Sequence, residues 1–244
     1  DPKVAGAYGE WKDYNAYSDF ISSEGAPVFY ARVDHVSVPL DKEGTGQVVV
    51  DFTPEPLTQD VSFAFHIEKT AGVVVDSLTA EISGVPSTME LTTGLILAQK
   101  TYKLLFRPAY AALPSAADST STEALRCEAA VNIPGIVRSH TEDMVTGPGI
   151  LQIAIYTHYD YEEEGTQRKA AKVFHAGINL YHTLKECKSL QWDEEAGGYR
   201  QASRSITVEI GTPLEIDKDG ILNSGSTSTG LDQWIPGETF EIEV

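Results

Sequence analysis

The sequence predicts an all-β protein, an antiparallel β-sandwich carrying one or two short helices. Period-two alternation of apolar residues recurs along the chain, and clusters of Gly, Pro, Ser and Asp separate the alternating segments. Helical spacing is confined to two short stretches. Strands spaced about 10 to 20 residues apart without alternating helices favour an antiparallel sandwich over a parallel α/β sheet.

The opening "GEWKDYNAYSDFISS" can form a helix with Trp11, Tyr14 and Tyr17 on one side. Candidate strands follow at 34–40 and 47–53. "VSFAFHI" then places Val61, Phe63, Phe65 and Ile67 on one face and Ser62, Ala64 and His66 on the other, as a half-buried strand requires. "SLTAEI" turns Leu78, Ala80 and Ile82 inward. In "EISGVPSTMELTTG", Gly84 is expected to end that strand and Pro86 to stop further pairing, with Leu91 returning to the core before Gly94 turns again. Further strands are expected at 101–107, 124–133 and 170–175. "LQIAI" points Leu151, Ile153 and Ile155 inward, "SITVEI" does the same with Ile206, Val208 and Ile210, and "TFEIEV" with Phe240, Ile242 and Val244. The second helical stretch is "INLYHTLKECKSL", where Ile178, Tyr181, Leu184 and Cys187 recur at three and Leu180 lies one turn before Leu184. Residues 114–124 and 223–230 are polar, low-complexity loops.

Size and charge bound the function. A chain of 244 residues with 41% hydrophobic content can bury a core, and no repeat or linker divides it. Its 36 acidic against 18 basic residues leave a net charge of −18, which repels phosphate backbones and anionic lipid headgroups. Nucleic acid is therefore not an expected partner. No stretch of about 18 uncharged apolar residues is available to span a bilayer. Because the chain opens on Asp1 without Met, a targeting segment is expected to have been removed ahead of it.

No residue pattern nominates a catalytic centre, a cofactor or a metal. Cys127 and Cys187 are too few for a disulfide framework and lack zinc-site spacing, so they read as free, partly buried thiols. His158, His175 and His182 fall near Asp160 in the sequence, but their spacings match no ligand motif. "DYEEEG" (160–165) reads as a solvated hairpin tip. "DKDGILN" (217–223) opens like a calcium loop and lacks its distal Glu. Neither a Gly-x-Ser-x-Gly elbow nor a Gly-rich phosphate loop is present.

The segments "PVFYARVDHVSVPL", "PLTQDVSFAFHIEK" and "LTAEISGVPSTMELTTG", in that order, with the close "LDQWIPGETFEIEV", resemble the fimbrillin and fimbrial-anchor lipoprotein superfamily of Bacteroidetes. The likeness is to its uncharacterised, lipid-anchored members and covers roughly residues 26–244. It implies a transthyretin-like, Greek-key β-sandwich over 26–244, with residues 1–25 a linker or the remnant of a preceding domain. Members commonly carry an additional N-terminal β domain after a lipidated Cys. The function implied is that of a non-enzymatic structural subunit of a fimbria, whether anchor, tip or stalk, or of an adhesin-like lipoprotein. Its location would be the outer membrane surface, and its membrane contact only a lipid anchor outside this chain. Partners would be other fimbrial subunits joined by strand addition, with Phe240, Ile242 and Val244 as the alternating knobs of a terminal strand that either completes its own sheet or is donated. A second reading is a surface carbohydrate- or ligand-binding module that stacks a host or glycan ligand on Trp192, Tyr199, Tyr156, Tyr159 or Tyr161. A third is a hydrolase with an unrecognised site.

Overall fold

The computed structural model describes residues 20–21, 28–33, 35–37, 48–97, 100–113, 122–222 and 234–242. In chain order the elements are β1 (Phe20–Ile21), β2 (Phe29–Tyr30), β3 (Glu55–Pro56), β4 (Gln59–Thr70), β5 (Val73–Pro86), β6 (Thr101–Phe106), β7 (Ala109–Ala112) and β8 (Thr122–Ile133). They continue with β9 (Ile150–Glu163), β10 (Thr166–Asn179), α1 (Tyr181–Glu186), β11 (Leu190–Asp193), β12 (Gly198–Gln201), β13 (Ser205–Glu209), β14 (Leu214–Ile216) and β15 (Trp234–Ile242).

The molecule is an all-β sandwich. One sheet has six strands in the order β1-β6-β5-β9-β10-β15, and the facing sheet has the order β13-β4-β8-β7 with β14 also on β4. Most pairs are antiparallel, but β13 and β14 both run parallel to β4, and β1 runs parallel to β6. The alternating faces read from the sequence meet between the sheets. Val61, Phe63, Phe65 and Ile67 on β4 pack with Leu78, Ala80 and Ile82 on β5, Leu151, Ile153 and Ile155 on β9, and Ile206, Val208 and Ile210 from β13 and beyond. Burial of each Val, Leu, Ile or Phe side chain contributes about 1.5–3 kcal/mol. Aromatic contacts cross the layer: Phe63 stacks on Phe106 at 5.1 Å, and Phe65 meets Trp234 edge-on at 5.8 Å.

Several expectations are corrected. Gly84 does not end its strand. It forms a bulge within β5, between Ser83 and Val85, with φ of +90°. A Cβ there would lie 2.5 Å from the Val137 carbonyl oxygen and 2.8 Å from the Gly149 nitrogen, so only glycine lets this segment approach. The approach is bonded on both sides: Val137 N–H donates to the Gly84 carbonyl and Gly149 N–H to that of Ser83. β5 runs on to Pro86, which pairs with Thr101 as its last residue. Leu91 is 63% exposed, and Leu95 and Ile96 fill the core position expected of it. The "LTTG" turn places Leu91 at its tip, where Gly94 N–H donates to the Glu90 carbonyl.

Residues 48–54 form no strand, and Val49 and Phe52 stand exposed. Pro54 follows this stretch, and the chain next enters a strand at Glu55–Pro56. Of the 34–40 stretch, the described residues 35–37 are not strand, and the rest lies outside the described residues. The first helical stretch falls mostly outside them too, although its Phe20 and Ile21 form β1 against Lys103 and Leu104. The second helix is shorter than its periodicity suggests, because Ile178 belongs to β10 and only Tyr181–Glu186 are helical. The period-three pattern overlaps the period-two pattern of Phe174, Ala176 and Ile178, and sheet burial wins.

Candidate functional site

The terminal strand lies in its own sheet. β15 pairs antiparallel with β10, from Trp234 opposite Ile178 to Ile242 opposite Ala171, and forms the sheet's outer edge. Its inward knob is Trp234, which is buried and donates from Nε1 to the Thr212 carbonyl oxygen at 2.8 Å. The inward placement of Phe240 is corrected. Phe240 is 40% exposed, with its ring 5.5 Å from that of His175. The β10–β15 register shifts between Phe174 and Ala176, and the face opposite the core is the one Phe240 shares with His175. The side chain of Ile242 and all of Val244 lie outside the described residues.

The five aromatic candidates separate into three places. Trp192 and Tyr199 are opposite residues of the β11–β12 hairpin, with ring centroids 5.0 Å apart and edge to face. Trp192 is 54% exposed. The two rings wall a cleft of about 500 Å³ shared with Arg138, Lys185 and Lys188. Tyr159 and Tyr161, 6.2 Å apart, lie where the β9–β10 hairpin runs past the sandwich, beside a wider hollow of about 1040 Å³ that also includes Asp160, Arg168 and Glu241. The hairpin ends at Glu164 and Gly165, both with positive φ, so "DYEEEG" does close a turn. Tyr156 takes the opposite parity on β9 and joins neither group.

The Trp192 cleft is held by buried polar groups. Asn179, the last residue of β10, accepts through Oδ1 from the Ser139 hydroxyl at 2.8 Å and from Tyr181 N–H at 2.9 Å. Its Nδ2 shares its two hydrogens among the carbonyls of Thr141, Glu142 and Met144 at 2.8–3.0 Å. One side chain thus folds the 139–144 loop and starts α1. Behind the hairpin, the Ser189 hydroxyl donates to Gln59 Oε1 at 3.0 Å and accepts from Ile136 N–H at 3.1 Å. These bonds tie the cleft to β4 and the core. Gln201 Nε2 adds bonds to the carbonyls of Leu57 and Pro134.

The histidines do not converge. His158 Nδ1 is 2.8 Å from Asp76, and His182 Nε2 bonds Glu142. His175 is 3% exposed, neither ring nitrogen has a hydrogen-bond partner among the described residues, and burial holds its pKa below the ordinary histidine value. In the "DKDG" loop, Asp217 Oδ1 accepts from the backbone N–H groups of Asp219 and Gly220, so it closes a turn. No group of three metal-ligating side chains assembles among the described residues. Both cysteines are free, Cys127 buried with its thiol pushed up to about 12 by desolvation, and Cys187 half-buried and raised for the same reason.

Sequence reasoning missed the basic wall of the Trp192 cleft. Its cations come from the segment after β8, from α1 and from the turn after it, so no local window holds them together. The spacing of Lys185 and Lys188 and the alternation of Leu190 and Trp192 were the available signals. Comparison with known proteins adds no relative: no family model, no curated protein and no solved structure matches the chain.

Proposed function

We propose that the chain is a non-enzymatic structural subunit of a surface fimbria, or an adhesin-like lipoprotein, of the fimbrillin type, and that its transthyretin-like sandwich is extended by strand addition. The observation that supports this reading is the edge formed by β15. Its inner side is bonded to β10, and no strand covers its outer side among the described residues. Such an edge offers a row of backbone donors and acceptors to an extended segment from a neighbour, while Phe240 supplies an apolar contact. Pro236 breaks the row near its start, which leaves residues 239–242 as the stretch open to addition.

Assembly and melting, measured together, test the reading. Phe240→Lys should leave the melting temperature within about 2 °C of the parent and abolish oligomer formation, because edge charges oppose strand pairing and cost the monomer little. Unchanged assembly in this variant, together with unchanged assembly after deletion of 239–244, would sink it. The binding reading is favoured by one observation of its own, the indole of Trp192, which is 54% exposed beside Tyr199 and offers an aromatic surface to a ligand.

A further inference from the structure

We propose that the Trp192 cleft takes an acidic saccharide, its ring against the indole and its carboxylate or sulfate held by Arg138, Lys185 and Lys188. This names a ligand class for the binding reading and rests on that reading for the stacking platform. Three features of the cleft carry it.

The first is charge. The chain has 18 Lys and Arg against 36 Asp and Glu, yet the residues lining this cleft include two Lys, one Arg and His140 and no carboxylate. The neighbouring acids are engaged or turned to solvent: Glu142 bonds His182, Asp193 bonds Arg200, and Glu186 is exposed on α1. Arg138, Lys185 and Lys188 have no carboxylate partner among the described residues. A locally positive hollow on a body of charge −18 selects a small anion that can enter it and repels extended polyphosphates.

The second is positioning. The Arg138 guanidinium lies 5.4 Å from the Tyr181 ring centroid and the Lys185 ammonium 6.0 Å from it, so one ring gathers two cations that would otherwise repel. Lys188 follows the C-cap of α1 with φ of +54°, a left-handed position at which glycine is the usual residue. A lysine is held there at a cost in backbone strain, and the residue lines the cleft. The third is the wall itself. Trp192 keeps more than half its surface in solvent while Tyr199 packs against it at a steep angle, and about 500 Å³ accommodates a small ligand of one or two rings.

Calorimetric titration of the full chain tests the assignment with four probes: trigalacturonate, its methyl ester, a sulfated dextran oligosaccharide and its unsulfated parent. We expect one or both charged probes to bind at least about tenfold tighter than the matching neutral one, as a charge-assisted contact implies. The double variant Arg138→Gln, Lys188→Gln should bring the charged probe down to the neutral level. Trp192→Ala should weaken charged and neutral probes alike, and the exposed positions of all three residues should leave melting unchanged. Preference for the sulfated probe alone assigns the anion as sulfate, and preference for trigalacturonate assigns it as carboxylate. Equal binding of charged and neutral probes overturns the acidic assignment and leaves the binding reading standing. Binding of none at millimolar concentration overturns the inference and removes the support for the binding reading as well. Charge-dependent binding that survives the double variant places the site elsewhere and also overturns it.

Discussion

At the scale of single residues, the core phase of β4 makes the sharpest prediction. Phe65 is fully buried against Trp234, so Phe65→Ala should cost about 3–5 kcal/mol in chemical denaturation. His66 takes the opposite parity on the same strand and is only partly buried, and His66→Ala should cost less than about 1 kcal/mol. A reversed ranking would place the strand's inward face on the wrong parity. His175 sets a pH dependence. Its folded pKa is depressed by burial below the ordinary 6.5, so the neutral ring is the form the fold accommodates. Its stabilising contribution is present above 6.5 and is lost as pH falls through the depressed value. Replacing it by Leu should flatten the loss of stability between neutral and mildly acidic pH; parallel curves for parent and variant would remove His175 as the cause. At Cys127, a thiol held near 12 is un-ionised at neutral pH, so alkylation should await unfolding. Rapid labelling of Cys127 in the native protein would contradict its burial.

At the scale of elements, β5 shows how one residue joins two segments. The bulge at Gly84 turns two carbonyls toward the 137–149 loop, and that loop carries Ser139 to Asn179. Gly84→Ala should therefore destabilise by at least about 1–3 kcal/mol, since a side chain at positive φ is strained and its Cβ meets backbone atoms that have little room to move. A near-neutral melt would show that the loop can lift from β5 without loss. Asn179 works at the junction of β10 and α1. Asn179→Ala leaves the carbonyls of Glu142 and Met144 and the Tyr181 N–H short of a partner, and more than about 2 kcal/mol should be lost. Asn179→Asp should recover only the bonds accepted by Oδ1. An Ala variant as stable as the parent would mean that water replaces the whole network.

At the scale of the whole molecule, two layers of alternating strands bury one continuous core, and an acidic chain presents a basic hollow at Arg138, Lys185 and Lys188 and, at β15, a sheet edge that no strand covers among the described residues. The all-β class and the inward faces of β4, β5, β9 and β13 were legible in the sequence, because a strand's side chains alternate by geometry and Val61, Leu78, Leu151 and Ile206 each begin such a series. The hairpin tip at Glu164 and Gly165 was legible for a similarly local reason, since turn chemistry depends on neighbours in the chain. What lay beyond local pattern was decided by tertiary structure. Phe240 continues the alternation of "TFEIEV" yet stands exposed, because β15 occupies a sheet edge whose register shifts opposite Phe174 and Ala176. Leu91 is apolar yet stands exposed in a turn closed by the Gly94 N–H to Glu90 carbonyl bond, while Leu95 and Ile96 just after it are buried. Lys185 and Lys188 are separated from Arg138 by the whole β9–β10 hairpin, and only its antiparallel return brings them to one cleft. Alternation is a property of a strand and can be read from its own residues. Which strand becomes an edge, and which distant cations share a hollow, depends on pairings between segments that no single segment encodes.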